Sequence, residues 1–180
     1  MKIKNNLIPN KDTKVFASAA IRPGLSGSYL HNNCFKIFNM NAIYLPIQCN
    51  TEKELKELLK IKKISGISIS MPFKSSVIKY LDNVEKISKL TNSVNTVHRK
   101  SGKLFGYNTD YYGAKKIISK INITKKSNVL LLGNGSVARV IYEILKEKKV
   151  NKIYLCSRNL NKYKNWKIRK SDQKINWKLK

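Results

Sequence analysis

Asn128-Val129-Leu130-Leu131-Leu132-Gly133-Asn134-Gly135-Ser136-Val137-Ala138 runs from an apolar stretch through two glycines into a helical pattern. Ser127 to Leu132 reads as a buried strand. Val137, Val140, Ile141, Ile144 and Leu145 then recur at helical spacing, and Lys152 to Cys156 reads as the next strand. Strand, glycine turn, helix and strand make one βαβ unit. Gly133 lets the chain turn tightly, Gly135 leaves room for a phosphate beside the backbone, and Ala138 keeps the helix close to the sheet. This G-x-G-x-x-A pattern predicts dinucleotide binding at Gly133, Asn134, Gly135, Ser136 and Val137, with the amides of the helix N-terminus facing the phosphates. An ordinary glycine turn of an α/β fold is the competing reading.

The second strand names the cofactor. A site for NAD places Asp or Glu at its end, against the ribose 2′-hydroxyl. Here the strand ends Ser157-Arg158-Asn159, with no acid. A carboxylate would repel a 2′-phosphate, whereas Arg158 would bind it through charge-assisted hydrogen bonds. NADP is therefore expected, with Arg158 and Asn159 at the site. A solvent-facing loop residue is the bland reading of Arg158.

Upstream, Thr13 to Ile21 reads as a strand, broken by Arg22-Pro23-Gly24. Ser28 to Asn39 reads as a helix, Ala42 to Ile47 as a strand, and Gly66 to Met71 as another, ended by Pro72. Thr51 with Glu54 forms a capping box that opens a helix carrying Leu55, Leu58 and Leu59 on one face. Ser93 to Arg99 and Lys103 to Tyr107 flank Ser101-Gly102 as a hairpin, and Thr109 is expected to cap a further helix. The fold class is α/β. An N-terminal α/β substrate-binding domain, residues 1–108, is followed by an incomplete Rossmann-type dinucleotide-binding domain, residues 109–159, and a basic tail, 160–180.

The chain has 180 residues and a formal net charge of +27. Such a balance ordinarily suggests nucleic acid. Lys outnumbers Arg 32 to 5, however, and Ile (21) and Asn (20) are also abundant. All three abundant types have A/T-rich codons, and phosphate readers favour the bidentate fork of Arg. Base composition accounts for the charge, and no nucleic-acid partner is expected. Cys34, Cys49 and Cys156 form no Cys-x-x-Cys pair, so no metal is expected and a reducing compartment fits. No apolar run approaches the roughly 20 residues of a membrane span, and Met1 to Asn10 lack a secretory signal. A cytoplasmic protein is expected, with no membrane partner and a homodimer admitted.

A second constellation lies in the first domain. Ser68-Ile69-Ser70-Met71-Pro72-Phe73-Lys74, Asn92-Ser93-Val94-Asn95-Thr96 and Gly106-Tyr107-Asn108-Thr109-Asp110 place small polar side chains, one Lys and one Asp at strand ends. Hydroxyls and amides suit a polyhydroxylated acid. A Lys beside an Asp can move a proton to or from an alcohol oxygen. By composition alone Lys74 is one lysine among 32.

These residues resemble the shikimate dehydrogenase family in order, from Arg22 to about Asn159. Ser70 to Lys74 is similar to its (S/T)-x-P-F-K stretch, Val94-Asn95-Thr96 to V-N-T, and Gly106 to Asp110 to G-x-N-T-D. The resemblance implies an NADP-linked oxidoreductase acting between 3-dehydroshikimate and shikimate, in aromatic amino acid biosynthesis. It implies Lys74 and Asp110 as the catalytic pair, and Ser70 and Asn95 as contacts to a small-molecule substrate. It also implies Ser26 and Ser28 as carboxylate contacts, although the Pro of the family's Ser-x-Ser-Pro is absent and the spacing to His31 is one residue shorter. His31 reads as a helix-face histidine. Only one βαβ unit is legible, so the dinucleotide domain is expected to be truncated, with an unpaired strand edge. A non-catalytic remnant that binds a small hydroxy acid is the alternative.

Overall fold

The computed structural model describes residues 8–177. The chain forms two compact units: residues up to Ser88 with Asn92–Tyr107, and Lys89–Thr91 with Asn108 onward.

The first unit is built on six strands: β1 (Lys14–Ala20), β2 (Ala42–Gln48), β3 (Ile64–Ile69), β4 (Asn83–Val84), β5 (Thr96–Lys100) and β6 (Lys103–Tyr107). Their order is β2-β1-β3-β5-β6-β4. β1 runs parallel to β2 and β3, while β5 runs antiparallel to β3 and β6. Crossovers supply α1 (Ser26–Ile37) and α2 (Glu52–Lys60), as parallel neighbours require. The capping box forms: the Thr51 hydroxyl accepts from the Glu54 amide at 3.2 Å, and Glu54 reaches back to the Asn50 amide at 2.9 Å. Leu55, Leu58 and Leu59 then enter the core with Ala17, Ala19, Ile67, Ile69, Phe73 and Val97. Each large aliphatic side chain so buried contributes about 1.5–3 kcal/mol. Gly106 sits tightly between Leu81 and Val94: a Cβ there would overlap the end of the Leu81 side chain unless that side chain shifts.

The second unit holds α4 (Thr109–Ile118), β7 (Asn128–Leu132), α5 (Ser136–Glu147), β8 (Lys152–Ser157) and β9 (Gln173–Asn176); α3 (Lys86–Thr91) precedes β5. The strands are all parallel, in the order β7-β8-β9. This matches strands 1, 2 and 3 of a doubly wound fold.

Four sequence expectations are corrected. Helix α1 starts at Ser26, two residues before the expected Ser28, so Ser26 and Ser28 occupy its first turn. β5 starts at Thr96, because Ser93 and Val94 bond outside the hairpin, the Ser93 amide to Ser88 O and the Val94 amide to Lys74 O, while the Asn95 amide still reaches Tyr107 O of β6. Thr109 is the first helical residue of α4, with Asn108 at the cap position and no side-chain cap bond. Residues 160–177, expected as a basic tail, carry a 3-10 turn (Leu160–Tyr163) and β9. Tyr163 and Trp166 lie in the second core with Tyr142, Leu145, Ile153 and Leu155. β9 thus pairs the outer edge of β8. Leu130 and Leu132 of β7 remain exposed.

Candidate substrate and dinucleotide sites

In the first unit, Ser70, Lys74 and Asn95 are brought to one end of the sheet. The Ser70 amide donates to Ala19 O at 3.0 Å, which continues the β1–β3 ladder past Ile69. A cis Met71–Pro72 bond follows. Phe73, 2% exposed, plugs the loop into the core, and its amide donates to Ser70 O at 2.9 Å. The carbonyl of Lys74 accepts the Val94 amide at 2.7 Å, and the Asn95 carbonyl accepts the Ile69 amide at 2.8 Å. The Thr96 hydroxyl donates to Asn95 Oδ1 at 3.0 Å, which fixes how that amide is turned. The P-F-K spelling therefore has a local reason: Pro turns the chain, Phe anchors it, and Lys follows the anchor.

Ser26 and Ser28 sit after β1, in the first turn of α1. Ser26 is exposed. Ser28 donates its one hydroxyl hydrogen to the Leu25 carbonyl at 2.8 Å, so in this conformation it has only lone pairs for a ligand. His31 stacks on Tyr44 with ring centroids 4.5 Å apart. Its neighbour Asn32 exchanges two bonds with the Tyr44 backbone, at 3.0 and 2.8 Å. The His-Asn pair thus ties α1 to β2.

Asp110 belongs to the second unit, in the first turn of α4. A carboxylate in the first turn suits the helix dipole. Deeper in the same helix, Tyr111 Oη donates to Glu147 of α5 at 2.7 Å, and Lys115 Nζ reaches Glu147 at 2.9 Å. This clasp holds the helix of Asp110 to the helix that follows the glycine turn.

The glycine turn has the form the fingerprint requires. Gly133 has φ +100°, in the left-handed region that favours glycine. Its amide donates to Cys156 O at 2.8 Å, and its carbonyl accepts Tyr163 Oη at 3.1 Å. Above both Gly133 and Gly135 there is open space that a side chain would enter. Gly135 precedes α5 with no side-chain cap, and no acid lies in the first turn. The amides of Ser136 and Val137 there are ordinary helix-start donors, favourable to an anion. Asn134 Nδ2 bridges to Ser157 Oγ at 3.0 Å and Asn159 O at 2.6 Å. Asn159 Oδ1 accepts the Asn161 amide at 3.0 Å, so this side chain caps the 3-10 turn.

A cleft of about 410 Å³ opens here, lined by Leu132, Gly133, Asn134, Ser157, Arg158, Asn159, Lys162 and Trp177. Among the described residues, two cations, Arg158 and Lys162, and no acid line it, which fits a phosphate monoester. Gly135, Ser136 and Val137 lie outside its walls. Lys162 and Trp177 were not singled out from the sequence. Lys162 falls four residues after Arg158, a spacing hidden among so many lysines. Trp177 reaches the cleft only through the pairing of β9 with β8.

Comparison with known proteins extends these observations. Residues 17–97 match the family model described as the shikimate dehydrogenase substrate binding domain. The NADP(+) shikimate dehydrogenase of Clostridium beijerinckii is 36% identical over 134 residues, 73% of this chain and 50% of that protein. That of Pyrococcus furiosus is 35% identical over 161 residues, 86% of this chain and 57% of that protein. The solved structure of a shikimate 5-dehydrogenase-like protein superposes with a TM-score of 0.83 at 28% identity, covering 94% of this chain and 63% of that one. The chain spans about half the length of the curated relatives it matches.

Proposed function

The chain belongs to the shikimate dehydrogenase family, and from that premise we propose that it serves the NADP-dependent interconversion of 3-dehydroshikimate and shikimate. The observation that carries this reading is the loop anchored by Phe73, which sets Lys74 at the sheet end that also holds Ser70 and Asn95. Hydroxyl and amide groups of Ser70 and Asn95 hold the substrate hydroxyls in a fixed pattern. Ser26 receives the carboxylate at the start of α1, and Ser28 joins it when its bond to Leu25 opens.

NADPH, held by the second unit, would supply the hydride that the keto carbon takes up. As charge develops on the carbonyl oxygen, the Lys74 ammonium gives it a proton, and the alcohol forms. In the reverse direction neutral Lys74 takes that proton back. Asp110 is the second member of this proposed catalytic pair, a carboxylate whose charge suits compensating an ammonium. Arg158 and Lys162 bind the 2′-phosphate, and the start of α5 receives the pyrophosphate.

The test is reduction of 3-dehydroshikimate with NADPH by the protein and by its Lys74→Ala and Asp110→Asn variants. Removing either proton-transfer partner is expected to lower kcat by about 10²–10⁴-fold with a smaller change in KM. Wild-type binding of shikimate unaffected by Ser70→Ala and Asn95→Ala together would refute the substrate assignment.

A further inference from the structure

We propose that Trp177 is the stacking platform for the adenine ring of a 2′-phosphorylated adenine nucleotide. The proposal rests on the nucleotide reading above and adds a residue to it. The two tryptophans of the chain have different surroundings. Trp166 is 9% exposed and packs edge-on against Tyr163, ring centroids 4.9 Å apart, inside the core. Trp177 is 46% exposed and lines the cleft that holds Arg158 and Lys162. Its backbone is fixed there, because its amide donates to Ser157 O at 3.0 Å, one residue before Arg158. A large indole left half in water beside two cations is unexplained by packing.

The chemistry of the cleft names the ligand class. Arg158 and Lys162 suit a phosphate, whereas an indole face suits a planar, electron-poor ring. A nucleobase with a phosphorylated ribose carries both features a few ångströms apart. Stacking of a base on an aromatic side chain is sequence-tolerant and strong enough to read by substitution. The cleft, about 410 Å³, has room for a nucleoside monophosphate within the usual range of ligand sites.

The probe is adenosine 2′,5′-bisphosphate, which lacks nicotinamide and so tests the cleft without turnover. Its titration into the wild-type protein is expected to quench tryptophan emission, and Trp177→Ala is expected to raise its Kd about tenfold and abolish the quench. Trp177→Phe should retain most of the affinity, and unchanged Trp166 emission in both variants shows that the core is intact. The signature is selectivity: Trp177→Ala should weaken 5′-AMP and the bisphosphate by similar factors, whereas Arg158→Ala should weaken the bisphosphate alone. Wild-type binding without quenching, together with an unchanged Kd in Trp177→Ala, overturns the role of Trp177 and leaves the nucleotide site standing. A wild-type protein that binds neither probe overturns both.

Discussion

The guanidinium of Arg169 closes on the carboxylate of Asp172 with two bonds, Nε to Oδ2 at 2.9 Å and Nη2 to Oδ1 at 2.7 Å. The pair is the keystone of the segment before β9. The same carboxylate accepts Tyr142 Oη at 2.8 Å and the Ile153 amide at 2.9 Å, while Arg169 also donates to Val150 O at 2.8 Å. The Asp172 side chain is fully buried. Burial alone would raise its pKa, but the bonds from Arg169, Ile153 and Tyr142 outweigh that and hold it below the ordinary carboxylate range.

Asp172→Asn is therefore expected to destabilise the second unit by about 3 kcal/mol, because it leaves Arg169 without its counter-charge. The pH dependence has a definite sign. A carboxyl whose folded pKa is depressed contributes its stability fully above the unfolded value, about 3.9, and loses it as pH falls through the folded value. Urea unfolding followed by Trp166 emission should show the wild-type protein losing this contribution below about pH 4, with a shallower acid limb for Asp172→Asn. Parallel acid limbs would exclude the network as its source.

Gly106 tests the packing of the first unit. A Cβ would overlap Leu81 and press on Val94, so Gly106→Ala is expected to cost about 1–3 kcal/mol by overpacking. Gly102 makes the opposite case, with φ +77° and open space around it. Its cost lies in the backbone, so Gly102→Asn, which tolerates the left-handed region, should stay within about 0.5 kcal/mol of wild type. Equal losses at the two positions would show that the tight packing of Gly106 is relieved by movement of Leu81.

The parts legible in the sequence are those whose causes are local. The capping box spans the four residues Thr51 to Glu54, and the glycine fingerprint needs only a strand before it and a helix after it. Both can be read without knowing what lies elsewhere in the chain. Residues 160–177 were not legible, because their partners are distant. Asp172 bonds to Tyr142 and Ile153, 30 and 19 positions away. Arg139 and Lys146 of α5 hold the carbonyls of Asn165 and Lys167. Tyr163 and Trp166 are the segment's only buried apolar anchors among the described residues and polar contacts fix the rest, so no sustained hydrophobic period runs through it and its charges read as a tail. The start of α1 was misplaced for a related reason: Pro23-Gly24 marks a break, but the helix begins at Ser26 without a side-chain cap to announce it.

The clasp between α4 and α5 gives a third expectation. Burial works to raise the Glu147 pKa, but hydrogen bonds from Tyr111 and Lys115 leave it lowered. Tyr111 is buried while Glu147 and Lys115 are largely exposed, so the ion pair itself is worth little, below about 1 kcal/mol. Tyr111→Phe, which removes the buried hydroxyl but keeps the ring, should therefore cost more than Lys115→Ala. Thermal unfolding of the two variants decides the order, and the reverse order would place the stabilisation in the exposed charge.

The last expectation concerns cofactor choice. Arg158 and Lys162 line the proposed nucleotide cleft with no acid among its described walls, so the discriminating interaction is expected to be with a 2′-phosphate rather than a ribose hydroxyl. Both side chains are exposed, and each pairing is screened by solvent. Arg158→Ala and Lys162→Ala should each weaken NADP by about 1 kcal/mol, roughly fivefold, and leave NAD nearly unchanged. Because both cations act on one phosphate, the double variant should depart from the sum of the single effects. Added salt should weaken NADP binding in the wild-type protein more than in the double variant, since screening acts only where the charges remain. Isothermal titration of NADP and NAD at two ionic strengths measures all of these quantities. Equal losses for the two cofactors would mean that Arg158 and Lys162 support the fold of the cleft and do not read the phosphate.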